Sequence, residues 1–368
     1  MDQAGPAPGT PESRALTGLR GIAALLVLMH HFFLHFGGDL GIPLLSGVLR
    51  RGYLGVDLFF VLSGFVISMV YGRWFGAAVP GRTLAARIGT FLLRRVARIW
   101  PLHVVVVLVL IGLAAAGQHG FSVRFSLVNL ALVQGWGISG EINPPAWSIS
   151  AELLAYLLFP LLAPAVLRNR LGVLLGLVIV VSALAICLGL APPAGPERRG
   201  LLDIHYNYSV LPVLRCLAGF VLGMLAWRAG AAPAVRRFAQ APWTGPGALL
   251  LLLGLMLAHV NDLLMLALLP VIVLGMHLGR GWAWRLLTVQ PLHGLGVLSY
   301  AIYLIHYALL TTLPVNVAPW PLMLALYLPA TLLLAGLAHF AIEAPTRQVM
   351  RWAGDAALGL TGRRAARA

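Results

Sequence analysis

Charge is what this chain has least of. Only 10% of its 368 residues are charged, against 60% hydrophobic. A soluble domain carries about 25% charged residues and rarely sustains apolar runs near ~20 residues. Here such runs recur along the whole length, so lipid is the solvent the sequence is written for. Lysine is absent: all 26 basic residues are arginine, set against 11 acidic ones for a net charge of +15. No aromatic-interleaved basic patch accompanies that charge, which excludes a nucleic-acid partner and leaves the positive-inside rule, with anionic lipid headgroups as counter-charge. Period-two alternation is missing, which argues against a β-barrel. The two cysteines, Cys187 and Cys216, lie in apolar segments without a second His or Cys at metal spacing, so they behave as small hydrophobes. The polar, Pro-rich start has no apolar core or cleavage site, and the first apolar stretch is expected to be an uncleaved span.

The expected fold is all-α, a polytopic transmembrane helical bundle. Ten spans are placed near 21–37, 53–71, 99–117, 146–166, 171–190, 208–227, 246–260, 262–279, 293–313 and 321–342. The stretch 125–139 is short and ends in Gly-rich polar sequence, so it is expected to be interfacial or re-entrant. Arginine placement agrees with that count. Ten crossings put 20 of the 26 arginines in the cytoplasm with both termini and leave Arg50, Arg51, Arg124, Arg198 and Arg199 outside, with Arg215 inside a span. An eleventh crossing would carry the arginine clusters at 228–237 and 347–367 outside. No internal repeat is visible, so symmetry gives no support to an inverted-repeat transporter. The chain reads as one transmembrane domain over 14–352, between a flexible tail at 1–13 and a basic tail at 353–368, in a multi-pass protein of the cytoplasmic membrane.

Ionisable groups within spans are costly and default to functional candidates. In LTGLRGIAALLVLMHHFFLHF, Arg20 and His31 are eleven residues apart, about 16 Å at ~1.5 Å per residue, on nearly one helix face. His35 follows on a neighbouring face and suits a backbone or lipid hydrogen bond; His30 points elsewhere. In GYLGVDLFFVLSGFVIS, Asp57 needs a cationic partner from another element, while Ser63, Gly55 and Gly64 read as packing. The loop and helix start RRVARIWPLH groups Arg94, Arg95 and Arg98, which suits either membrane anchoring or a phosphorylated ligand. In NPPAWSISAELLAYLLFP, Ser148, Glu152 and Tyr156 share one face. In LSYAIYLIHYALL, Ser299, Tyr303 and His306 do, and in HFAIEAP Glu343 is expected to end the last span before Pro345.

These segments, in this order, resemble the acyltransferase 3 family of membrane-bound acyltransferases. LTGLRGIAALLVLMHH is similar to its first-helix pattern of arginine and histidine, here Arg20 and His31, with Thr17 where the family often has Asp. GVDLFFVLSGFVIS, RRVARIWP, WSISAELLAY, LSYAIYLIH and IEAP resemble its later landmarks, and the likeness runs from about 14 to 347. It implies a ten-helix O-acyltransferase that takes an acyl group, usually acetyl, from cytoplasmic acyl-coenzyme A. The acceptor would be a hydroxyl on a sugar of a glycan, lipid-linked saccharide or glycosylated small molecule. Acetyl-CoA would be a co-substrate; no cofactor is held permanently and no metal is implied. No SGNH-type esterase domain is expected after the last span, and the chain is expected to finish the reaction itself or use a separate extracytoplasmic transferase. The roles expected on this reading give His31 general-base or acyl-carrying duty and Glu152 the task of orienting it or the acceptor. Arg20, Arg94, Arg95 and Arg98 would hold the coenzyme, and Ser148, Tyr303, His306 and Glu343 would add substrate contacts. All of these groups are expected in one chamber open to the cell's inside. The alternative class is a proton-coupled transporter or flippase that uses His31, Glu152 and Glu343 as a relay.

Overall fold

The computed structural model describes residues 11–76, 83–191, 199–203, 208–258, 260–314 and 317–357. The outer parts of both expected tails, together with Arg82, Arg198, Arg363, Arg364 and Arg367, lie outside the described residues.

Among the described residues every regular element is helical: α1 (Pro11–His35), α2 (Pro43–Arg50), α3 (Leu54–Gly76), α4 (Leu84–Ala116), α5 (Val123–Leu130), α6 (Ala146–Leu167), α7 (Arg170–Leu190) and α8 (Leu211–Ala229). There follow α9 (Pro233–Gln240), α10 (Thr244–Leu257), α11 (Asp262–Leu278), α12 (Trp282–Leu287), α13 (Gln290–Leu310), α14 (Trp320–Ala338) and α15 (Ala344–Ala357). Among the described residues eight helices are long and apolar enough to cross a bilayer, or nine if the bent α9–α10 pair is one span. The expected spans at 246–260 and 262–279 fall on shorter pieces. The first is α10, bent by 73° from α9, and the second is the 17-residue α11. The stretch at 125–139 does not cross: α5 has eight residues and is followed by a 3-10 turn, Gln134–Trp136. Asn129 ties this irregular backbone down, donating to the Phe125 and Gly140 carbonyls and accepting from the Ile142 amide. Buried non-helical backbone of this kind is tolerated at membrane depth because its polar groups are satisfied internally.

Two expected helix boundaries give way. The arginines of RRVARIWPLH lie on continuous helix, within the 33 residues of α4, rather than in a loop. Pro101 sits inside that helix, where it removes one donor without ending it. Likewise Glu343 does not stop the last helix. A π-turn, His339–Glu343, joins α14 to α15, and the local widening accommodates the donor that Pro345 lacks.

Packing follows the small residues. A Cβ on Gly64 or Gly223 would overlap the backbone of α8 or α3, and one on Gly296 would overlap the Thr17 carbonyl of α1. The α3–α8 and α1–α13 pairs therefore meet backbone to backbone, as small-residue membrane contacts do. Large apolar side chains such as Leu161, 71% exposed, and Leu171, 72% exposed, cover the outside, a surface that only lipid solvates favourably.

Candidate active site

The tight α1–α13 and α3–α8 seams, with α6 between them, enclose two cavities stacked along α1. Arg20 lines the first and His31 the second. The shared face expected of these two residues exists, but it serves a separate cavity at each end.

The first is basic. Arg20 from α1, Arg95 and Arg98 from α4, and Glu152 from α6 line it, with Ser63, Ser148, Tyr156, Ser299, Tyr300 and Tyr303. Three guanidinium groups against one carboxylate leave an excess of positive charge for an anion. Arg95 lies 5.3 Å from the centre of the Tyr71 ring, and its buried Nε has no hydrogen-bond partner among the described residues. The helical spacing of Ser148, Glu152 and Tyr156 does bring all three onto this wall. Ser63, expected to be packing only, is on it too.

Arg94, Glu343 and Asp57 do not line either cavity. Arg94 lies 5.7 Å from the centre of the Trp74 ring. Glu343 stands behind Arg98, 4.0 Å from its Nη1, with Arg347 at 3.7 Å and His339 Nδ1 at 2.9 Å. That arrangement ties Glu343 to α4 through Arg98. Asp57 has the partner it required: Arg215 on α8 donates to both carboxylate oxygens, at 2.9 and 2.6 Å.

The second cavity is lined by imidazoles and aromatic rings. His30, His31 and His35 come from α1, with Tyr53, Trp147, Tyr303 and Tyr307 around them and Arg199, Asp203 and Arg215 at the polar margin. His30 is held by the Leu49 carbonyl at 2.6 Å, and His35 by the Leu313 carbonyl at 3.1 Å. His306, expected to touch substrate, is fully buried and lines neither cavity; its Nε2 lies 3.2 Å from His31 Nδ1.

Tyr303 and Val56 line both cavities. The Tyr303 and Ser148 hydroxyls share a 2.7 Å hydrogen bond, and each lies 3.1 Å from the Pro145 carbonyl oxygen. The Phe59 ring meets the Tyr303 ring edge-on at 5.9 Å. One expected chamber is therefore two, with a tyrosine between the arginines and the histidine. The partition arises where a hydroxyl of α6 meets one of α13, a meeting that neither helix's own pattern specifies.

Comparison with known proteins bears on what such a bundle does. A family model, the acyltransferase domain of the acyltransferase 3 type, matches residues 13–340. The chain belongs to the acyltransferase 3 family. It is 33% identical to acyltransferase MdmB of Streptomyces mycarofaciens over 253 residues, 63% of this chain and 59% of that protein. It is 26% identical to peptidoglycan O-acetyltransferase OatA of Listeria monocytogenes over 370 residues, 91% of this chain and 56% of OatA. A likeness of 26% extends to the putative membrane-bound transacylase BcsY of Komagataeibacter xylinus, covering 80% of this chain and 72% of BcsY. The chain thus spans little more than half the length of MdmB and of OatA. No solved structure matches it.

Two features of this acyltransferase 3 chain were not singled out from sequence. Arg215 was noted only as an arginine inside a span, yet it forms the buried pair with Asp57. Arg51, counted among the outside arginines, is paired instead with buried Asp262, whose Oδ2 accepts from the Tyr53 hydroxyl at 2.9 Å and the Leu202 amide at 2.7 Å. The usable signal was an aspartate at the start of an apolar helix, which needs a cation as Asp57 does.

Proposed function

We propose that this protein is a cytoplasmic-membrane O-acyltransferase that moves an acyl group, acetyl in the first instance, from acyl-CoA to a hydroxyl of a sugar-containing acceptor. The observation that carries the reading is the stacking of a guanidinium-lined cavity against an imidazole-lined one across Tyr303. The coenzyme's phosphates suit the arginine end, with Arg20, Arg95 and Arg98 as charge-assisted donors. Positive-inside placement turns that end, and both termini, toward the cytoplasm. The pantetheine arm would cover the stretch from Arg20 to His31, about 16 Å at ~1.5 Å per residue, bringing the thioester past Tyr303. The acceptor then belongs in the histidine cavity, where aromatic faces and polar groups together suit a saccharide. The activity that OatA's name states, peptidoglycan O-acetylation, is consistent with such an acceptor.

In the reaction His31 takes the proton of the acceptor hydroxyl while its oxygen attacks the thioester carbonyl. The C–O bond forms, the C–S bond breaks, and the imidazolium returns its proton to the departing thiolate. Glu152, on the arginine side of Tyr303, acts at the donor end in this reading, orienting guanidinium groups rather than His31 or the acceptor.

The test is turnover of radiolabelled acetyl-CoA by the full chain in nanodiscs, with oligosaccharides and glycosylated small molecules as acceptors. Labelled ester and free coenzyme should form together. His31→Ala should lower kcat by at least ~10²-fold, the general-base contribution, while coenzyme binding persists. Proton-linked uptake into liposomes without thioester cleavage would replace this reading by the transporter.

A further inference from the structure

His306 lines neither of the two cavities, yet it is a fully buried imidazole beside His31. Its Nδ1 faces two carbonyl oxygens of its own helix, those of Tyr303 at 2.8 Å and Ile302 at 3.2 Å. A carbonyl oxygen only accepts, so this nitrogen carries the proton and the neutral ring presents Nε2 as an acceptor. His31 is fixed by the same logic. Its Nδ1 lies 2.9 Å from the Val27 carbonyl oxygen and 3.2 Å from His306 Nε2. Both neighbours accept, so His31 Nδ1 is the protonated nitrogen and Nε2 is the basic one. The backing ring lies between the Tyr303 ring at 5.8 Å and the edge-on Tyr307 ring at 6.4 Å, and the Tyr327 hydroxyl of α14 donates to the His306 backbone carbonyl at 2.9 Å.

We infer that His306 is a positioning residue for the transfer: it accepts the Nδ1 proton of His31 and so keeps the basic lone pair on Nε2. The inference rests on the acyl-transfer reading above. In that reaction the hydroxyl proton arrives at Nε2, making His31 an imidazolium whose Nδ1–H bond to His306 strengthens. His306 stays neutral throughout, and the His31 proton leaves again to the thiolate. The Val27 carbonyl shares this proton but also accepts the His31 amide within the helix; without His306 the hold on Nδ1–H weakens, and the ring spends more time as the tautomer with no lone pair at Nε2.

Two substitutions and one spectrum test this. His306→Leu keeps apolar bulk and removes one of the two acceptors at Nδ1; kcat should fall about tenfold, the loss of one charge-assisted hydrogen bond, with KM for acetyl-CoA unchanged because no coenzyme contact is lost. His306→Gln places a side-chain carbonyl where Nε2 stood, and kcat should return to within about threefold of the parent. Independently of turnover, histidine-selective 15N labelling of the full chain in nanodiscs should show a coupling across the hydrogen bond between His31 Nδ1 and His306 Nε2. His306→Leu should abolish it. Absence of the coupling in the parent overturns the inference, as does a His306→Leu enzyme with the parent's kcat. Coupling present with no turnover on any acceptor would instead sink the acyl-transfer reading, and the positioning role with it, while the tautomer assignment stands.

Discussion

Replacing Asp57 by alanine would strand the Arg215 guanidinium inside the bundle. The two side chains are 1% and 3% exposed and joined by the pair of hydrogen bonds described above. Arg215 also donates to the Tyr53 carbonyl at 3.2 Å and lies 5.4 Å from the centre of the Trp147 ring, contacts that hold it in the wall of the histidine cavity. Removing one member of a buried ion pair costs about 3–5 kcal/mol because the other charge is left uncompensated, whereas replacing both by apolar groups is often neutral. Arg215→Met keeps a flexible apolar stem against Trp147 but strands Asp57 in turn. Each single variant should therefore lose about 3–5 kcal/mol, and Asp57→Ala/Arg215→Met should regain most of it. Unfolding followed by intrinsic fluorescence in matched nanodiscs gives the four midpoints. A double variant whose loss equals the sum of the singles, or singles that unfold with the parent, would refute the reasoning.

Arg95→Gln and Arg98→Gln should each raise KM for acetyl-CoA by roughly tenfold, the value of one lost charge-assisted contact near 1.4 kcal/mol, with kcat little changed in steady-state assays. Gly223→Ala, whose methyl would overlap the Val61 carbonyl, should destabilise by about 1–3 kcal/mol, while Gly336→Ala, with open space around it, should be neutral or stabilising; unfolding midpoints compare them. Burial raises the Glu141 carboxyl from 4.5 to about 7. The folded protein then holds this proton more tightly than the unfolded chain, so stability should fall as pH rises from 4.5 to about 7 and level off above. Glu141→Gln should flatten that part of the midpoint-against-pH curve.

Much of the scaffold was legible residue by residue. Leu, Val and Ala runs marked the spans, and the Gly-rich end of 125–139 marked the segment that does not cross. Gly64 announced a close helix contact, and the structure supplies α8 as its partner. Boundaries were less legible. Pro101 and Pro345 look like helix ends in sequence, but a long membrane helix absorbs a missing donor because breaking the chain in lipid would expose more backbone. The candidate site was legible in its members rather than in its layout. Ser148, Glu152 and Tyr156 were grouped by helical spacing and do share a wall, since that grouping is a property of one helix. Glu343 and His306 stand out in sequence as buried ionisable groups, but only the structure shows their neighbours, Arg98 and His31.

By itself the sequence determined the solvent, the all-helical scaffold and the set of polar groups that the interior has to satisfy. Hydropathy and helical periodicity are local quantities that accumulate over about 20 residues, so a single helix suffices to read them. Only the tertiary structure decided who meets whom. Arg215 and Asp57 are 158 positions apart, Ser148 and Tyr303 155, and His31 and His306 275. Those meetings depend on the depth and rotation at which glycine faces let helices touch, and no rule confined to one helix fixes either.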